Sequence, residues 1–399
     1  MPYGGVPPTD LQGPQPPLSK ALITEARQLR DWLLEAAFPL WWRVGADHAL
    51  GGYHERIDFD GRPAILPRRS RVAARMAFCY SEAGRLGWNG PWDEAGRHAL
   101  DFLHKRFAQS DGTVIATVDQ DGSVLDATFD LYNQAFALLA YACGHGALDP
   151  GGGWQARAHV LVGTLKREFA YPQGGFREDR DGRQMLRANP HMHLLEAALA
   201  WLAIDPSPIW RDLADEIVAL CRDRFIDPDT AALREFFASD WTPIRETPGE
   251  VLEPGHHYEW AFLLDRWAKL TGRNPPAEVS RLITFADANG LDRKRRVAVN
   301  GVRQDGTVYD AMARLWPQTE RLRAYLIDRH DGDEARLGEA IESLSRYLDA
   351  PLRGLWYENL AADGRFIVAA APATSLYHIV GAIAELWTSC GAPTASDSD

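Results

Sequence analysis

The sequence predicts an all-α fold, an (α/α)6 barrel of six helical hairpins with short β-hairpins in the loops at one end. Three observations predict it. Apolar residues recur at helical spacing in twelve separate segments. Most of these segments alternate between amphipathic and apolar nearly all round, and the second kind is buried on every side. One distinctive residue on each inner segment, namely Arg75, Tyr132, His193, His256, Trp316 and His378, recurs at intervals of 57, 61, 63, 60 and 62 residues. A helical solenoid is the competing architecture, but solenoid repeats run ~33–47 residues.

Taken in order, Leu22, Ile23, Ala26, Leu29 and Leu33 mark a first helix that runs to about Arg43. Further helices are expected over 69–87, 92–107, 130–144, 153–169, 190–203, 208–224, 256–271, 276–288, 309–328, 334–349 and 374–389. The third, seventh, ninth and eleventh are amphipathic. In the eleventh, Leu337, Ile341, Leu344 and Leu348 share one face while Glu339, Glu342 and Arg346 lie elsewhere. The second, fourth, sixth, eighth and twelfth are the buried ones.

The connecting loops carry a signal of their own. Asp-Gly occurs at 60–61, 111–112, 121–122, 181–182, 305–306, 331–332 and 363–364. Beside short extended runs such as Thr113 to Val118 and Phe366 to Ala369, that pair predicts hairpins. They would wall a central cleft.

Composition bounds the function. Lys plus Arg is 43 against 55 Asp plus Glu, a net charge of −12 with no long basic run, which argues against nucleic-acid binding. No stretch of ~18 apolar residues exists, so no membrane span is expected. The four cysteines, Cys79, Cys143, Cys221 and Cys390, are scattered without a CxxC pair, which fits a reducing, cytoplasmic setting and no structural zinc. Residues 1–17, rich in Pro and Gly, read as a flexible lead-in without a secretory signal, and 391–399 as a flexible tail. One catalytic domain is expected over 18–390. Of the 14 Trp, Trp260, Trp316 and Trp356 fall near the expected cleft, whereas Trp41, Trp42, Trp201, Trp210 and Trp267 suit helix–helix packing.

Ionisable residues on inner helices need a reason, because burying one unpaired costs several kcal/mol. In Asn189-Pro-His-Met-His193-Leu-Leu-Glu196, Asn189 reads as a cap, and His193 and Glu196 share a face at i, i+3. A capped helix with a satisfied core histidine would look the same. In Glu253-Pro-Gly-His256-His-Tyr-Glu259-Trp260, Glu259 stands three residues after His256, where a carboxylate orients the ring and raises its basicity. His378 opens the last apolar helix. Arg71 and Arg75 share a face of the second helix, and either could instead form a salt bridge to Glu259, Glu196 or Glu320. Inner helices of a ring point at one axis, so Arg75, His193, His256 and His378 converge among aromatic rings. Two histidines suggest proton transfer near neutral pH, and aromatic faces with Asn, Arg and Glu suit a sugar. The pairs His191/His193 and His256/His257 also invite a metal, held by His193, Glu196, His256 and Glu259. However, neighbours at i, i+1 or i, i+2 do not face each other on a helix.

These segments resemble the N-acylglucosamine 2-epimerase superfamily over nearly the whole folded body. The carriers are Arg75-Met-Ala-Phe-Cys-Tyr80, Asp130-Leu-Tyr-Asn-Gln-Ala-Phe136, Asn189-Pro-His-Met-His-Leu-Leu-Glu196, Pro254-Gly-His-His-Tyr-Glu-Trp260, Leu315-Trp-Pro-Gln-Thr-Glu320 and Tyr377-His378. The resemblance implies the same barrel. It implies catalytic residues His256 and His378, and substrate-binding residues Arg75 (not Arg71), Tyr132, Asn189, His193, Glu259 and Trp316. Neither a metal nor a cofactor is implied. Glu-Trp after Gly-His-His-Tyr, and Arg-Leu-Trp-Pro-Gln-Thr-Glu, look most like the mannose isomerase branch. The expected reaction is interconversion of D-mannose and D-fructose, extending to related aldoses such as D-lyxose, through a cis-enediol. His378 would take the C2 proton, and His256, oriented by Glu259, would handle the oxygens.

A sugar 2-epimerase of the glucose/mannose, N-acylglucosamine or cellobiose type is the alternative. A glycoside hydrolase would need two carboxylates and leave the histidines idle, and a non-enzymatic binding protein would not need them. The expected partner is a monosaccharide, on a monomer or homodimer. A phosphorylated or sulfonated sugar would require a further cation in the pocket, and the sequence does not place one.

Overall fold

The computed structural model describes residues 16–182, 185–246, 248–330 and 333–391. The expected lead-in over 1–17 and tail over 391–399 lie outside them, apart from residues 16, 17 and 391. Twelve long helices stand where the apolar spacing places them. They are α1 (Lys20–Trp32, continued by further helical turns to Gly45), α2 (Ser70–Arg85), α3 (Trp92–Phe107), α4 (Leu131–Cys143), α5 (Trp154–Thr164), α6 (Ala188–Leu202), α7 (Pro208–Leu220), α8 (Pro254–Thr271), α9 (Glu278–Asn289), α10 (Trp316–Ile327), α11 (Glu334–Leu348) and α12 (Ala373–Ser389).

The even-numbered helices form a closed inner ring. α2 packs on α4, α4 on α6, and so on to α12, which returns to α2. Each odd helix backs one inner helix, with α1 lying on α12. This is an (α/α)6 barrel, and it explains the apolar patterning. An inner helix touches two ring neighbours and one outer helix, so nearly every face is removed from water; from Leu131 to Cys143 only Tyr132 is not fully buried. An outer helix buries one stripe. The large rings sit between the layers: Trp201 of α6 stacks on Trp210 of α7 at 4.9 Å, and Trp41 on Trp356 at 5.4 Å.

A repeated polar clamp ties the loops to the inner helices. Early in α4, α6, α8 and α10 a buried side chain accepts the backbone N–H of the preceding loop. Gln134 takes Val114 at 2.8 Å, His191 takes Phe176 at 3.0 Å, His257 takes Leu233 at 2.9 Å and Gln318 takes Ala298 at 2.8 Å. The other ring nitrogen of each histidine donates to a carbonyl, Nδ1 of His191 to Arg187 and Nδ1 of His257 to Glu253. Burial holds both rings neutral, each lowered to about 4. These two histidines, the sequence neighbours of His193 and His256, are structural.

The strands gather at the N-terminal end of the inner ring. Arg68–Arg69, Leu186–Arg187, Val251–Leu252, Ala313–Arg314 and Ala371–Pro372 each lead into an inner helix. Strands turn around 121–122 and 305–306, and single bridges close 60–61, 111–112 and 363–364. No strand pair flanks 181–182 among the described residues, and 331–332 lies outside them. One helix boundary differs from expectation. The tenth helix begins at Trp316 and not near 309, because Val308–Asp310 pairs with Gly301–Arg303 around Gly306, whose φ of 83° turns the chain. No helix among the described residues is long and apolar enough to cross a membrane.

Candidate active site

The first two turns of all six inner helices surround one cavity of about 230 Å³. Its walls are Arg75 of α2, Tyr132 of α4, Asn189 and His193 of α6, His256 and Glu259 of α8, Trp316 of α10, and Thr374, Ser375 and His378 of α12. Every residue that the sequence singled out for catalysis or substrate binding therefore lines the same space. Glu253, Arg314 and Glu358 complete it from the rim.

The two histidines of interest carry opposite electrostatics. His256 Nδ1 lies 3.0 Å from Glu235 Oε1, and both side chains are buried. Burial works against the cation, but the charges of Glu235 and Glu253, with Glu259 behind, override it and raise His256 to about 9. His378 Nδ1 lies 2.8 Å from Glu320 Oε1. There burial wins and the pKa is lowered, helped by the Arg75 charge nearby. At neutral pH His256 is an imidazolium and His378 a neutral imidazole. With Nδ1–H of His378 given to Glu320, Nε2 is the nitrogen left for the cavity. Trp316 sits against both rings, 5.0 Å from His256 and 5.7 Å from His378. Gly255 makes room for it, since a Cβ there would come within 2.5 Å of the indole.

Beneath the histidines lies a buried carboxylate layer. Glu196 accepts from His193 Nδ1 at 3.2 Å and from the Tyr377 hydroxyl. Burial pushes Glu196 up, but His193, Arg323 and Tyr377 hold it down to about 2. His193 is itself neutral, lowered to about 4 by burial. Arg323 donates to Glu320 Oε2 at 2.9 Å and rests on the Phe262 ring at 3.8 Å, so Glu320 also stays ionised. Glu259 is the third member. Burial and the charges of Glu320 and Glu196 drive its pKa well up.

Glu259 is thus not the group that orients His256. The Nδ1 contact belongs to Glu235, and Glu259 faces the layer below, where its Oε1 has no hydrogen-bond partner. Asn189 is not the helix cap either. α6 begins at Ala188, and Asn189 Oδ1 is buried and unpartnered at the cavity wall. Of the three tryptophans expected near the cleft, only Trp316 lines it. Trp260 packs on Phe225 and Trp356 on Trp41, both fully buried.

Arg75 forms no ion pair among the described residues. It donates to the Thr374 carbonyl at 3.0 Å and to the Tyr132 hydroxyl at 2.6 Å, over the Phe136 ring at 4.2 Å. A buried guanidinium without a carboxylate is positioned for a ligand oxygen. Arg71, one turn earlier, lies outside this cavity and 3.9 Å from Asp130.

Sequence reasoning missed Glu235, Glu253, Arg314, Ser375 and Glu358. Four of the five sit in loops or strands before the inner helices, where no periodicity marks them. Glu358 accepts from Ser375 at 2.7 Å, and burial raises it to about 7.

Residues 51–382 match the N-acylglucosamine 2-epimerase (GlcNAc 2-epimerase) family. A mannose-6-phosphate isomerase of Rhizobium meliloti (strain 1021) is 43% identical over 374 residues, covering 91% of this chain and 96% of the relative. Two solved structures share the fold. A cellobiose 2-epimerase from Spirochaeta thermophila DSM 6192 has a TM-score of 0.82 at 23% identity, covering 93% of this chain and 98% of that one. A D-mannose isomerase has a TM-score of 0.79 at 21% identity, with coverage of 93% and 98%.

Proposed function

The chain belongs to the N-acylglucosamine 2-epimerase family of carbohydrate isomerases and epimerases, and on that premise we propose that it interconverts D-mannose and D-fructose through a metal-free cis-enediol. The observation that carries this reading is the opposite protonation of two histidines on one cavity, His378 neutral and His256 cationic. Groups pushed apart in this way divide into a base and an acid.

In the open-chain aldose, His378 Nε2 takes the proton from C2. The electron pair forms the C1–C2 double bond, and His256 donates its proton to O1, giving the enediol. His256, now neutral, removes the proton from O2. The C2 carbonyl forms as His378 returns its proton to C1 on the same face. Both histidines end as they began. Charge on the oxygens during transfer falls near Arg75, whose guanidinium has no competing carboxylate. Tyr132, Asn189 and Trp316 would hold hydroxyls and the C–H face of the sugar.

The same geometry favours isomerisation over 2-epimerisation. An epimerase must reprotonate C2 from the opposite face and needs a second C–H base. His256, held as a cation by Glu235 and Glu253, is suited to act as an acid. The test is incubation with D-mannose and separation of the products. Fructose is expected as the first product, and glucose formed without fructose would establish the epimerase instead.

A further inference from the structure

The residues at the heads of the inner helices alternate in charge around the mouth of the cavity. Arg69 precedes α2, Asp130 α4, Arg187 α6, Glu253 α8 and Arg314 lies just before α10, while Pro372 stands before α12. The ring is not balanced. Arg69, Arg71, Arg75 and Arg187 line a recess of about 290 Å³ together with Asp130, the one carboxylate in its wall. The recess is continuous with the main cavity, since Arg75, Tyr132, Asn189 and Thr374 border both.

The acids that accompany these arginines stand behind them. Glu55 takes the backbone N–H of Arg69 at 2.8 Å and its Nε at 2.7 Å, and Glu178 takes the same two groups of Arg187 at 2.9 and 3.3 Å. The same carboxylates reach Nη2 of Arg69 at 2.5 Å and of Arg187 at 2.8 Å, and Asp130 lies 3.5 Å from Nη2 of Arg187, so each guanidinium is fixed along its Nε–Nη2 edge. Glu178 is fully buried, and burial raises it to about 7. Arg71 has the weakest compensation: its carboxylate contact is Asp130 at 3.9 Å, with Arg69 and Arg75 as neighbours. Elsewhere around the cavity the charges are paired, Arg314 with Glu253 at 2.5 Å and His256 with Glu235 at 3.0 Å. The excess of guanidinium charge therefore lies in the recess.

We propose that this recess is a subsite for a phosphomonoester, so that the substrate is an aldose phosphorylated at the end remote from its aldehyde. Forked guanidinium donors in a rigid arc match phosphate oxygens in charge and geometry. The charge excess also sets direction. A dianion is attracted to Arg69, Arg71 and Arg187, which leaves C1 and C2 for His256 and His378. This rests on the isomerase reading above for the carbon skeleton and adds the phosphate.

The experiment compares D-mannose with D-mannose 6-phosphate on the wild type and on Arg71→Gln and Arg71→Glu. Arg71 is chosen because its loose pairing and partial exposure make it the arginine of the arc least tied to folding. The wild type is expected to prefer the phosphate in kcat/KM by at least about tenfold. Arg71→Gln should cut that preference by about tenfold and Arg71→Glu by more. A preference unchanged in both variants, or a wild type that favours the free sugar, overturns the subsite. Calorimetry with inorganic phosphate separates this from failure of the isomerase reading. If neither sugar is turned over, phosphate binding that is lost in Arg71→Glu upholds the subsite, whereas equal binding or none overturns it.

Discussion

Glu235 Oε1 lies 3.0 Å from Nδ1 of His256 although 21 residues separate them in the chain. The contact decides the protonation state of that histidine. Burial alone would make His256 a weaker base, as it does at His193 and His378. The Glu235 charge reverses the sign and carries the ring to about 9.

Glu235→Gln keeps the shape and removes the charge, so the His256 pKa should fall toward or below its ordinary 6.5. An acid must be protonated to act, so the alkaline limb of the kcat/KM profile moves down from about 9. At pH 8 the loss from deprotonation is about 30-fold, and at pH 6 less than about twofold. A profile that falls equally at both pH values would refute the assignment. Stability follows the same sign. A histidine raised on folding stabilises fully below 6.5, and that contribution is lost as pH rises through about 9.

His378→Asn should lower kcat by about 10²- to 10⁴-fold, because the C–H base is gone. Wild-type turnover in D2O should place deuterium at C1 of fructose and C2 of recovered mannose, read by NMR, and His378→Asn should abolish it. His256→Asn removes the acid and leaves the base, so slow exchange at C2 should persist while net isomerisation fails. Persistent exchange in His378→Asn would contradict the scheme.

The barrel was legible because its signal is long-range and redundant. Six marker residues on a period near sixty survive errors at any one boundary, and an inner helix such as Leu131–Cys143 shows its burial on every face. The site residues on the helices were legible for the same reason, since a polar side chain in an apolar helix stands out. Glu235 and Glu358 did not stand out, because loops tolerate charge everywhere and only the closed ring brings them to the cavity. Glu259 misled because i, i+3 spacing implies one helix face but not which neighbour that face meets. Nor can sequence spacing show that His191 and His257 each accept a loop N–H at Nε2.

Glu196 receives the Tyr377 hydroxyl and His193 Nδ1–H in a buried layer. Glu196→Ala strands both donors beside Arg323, and breaking such a buried set costs about 3–5 kcal/mol. Urea unfolding at pH 7 measures it. The sign with pH is set by a carboxylate depressed to about 2: its contribution is complete above the ordinary 4.5 and is lost as pH falls toward 2. The wild-type advantage should therefore be smaller at pH 3 than at pH 7, and an advantage that grew would show that the pair is not ionised.

Glu259, Glu320 and His378 bring three potential ligand atoms within 4.8 Å of one another, which is the strongest metal-like cluster among the described residues. Its partners argue against a divalent ion. His378 Nδ1 and Glu320 Oε1 bond each other, and Arg323 occupies Glu320 Oε2. A cation entering there would break the contact that orients His378 and meet the Arg323 charge. Exhaustive dialysis against EDTA is therefore expected to leave kcat and KM within about twofold of their starting values. Loss of activity restored by one divalent metal would assign the cluster as a metal site and remove the metal-free scheme.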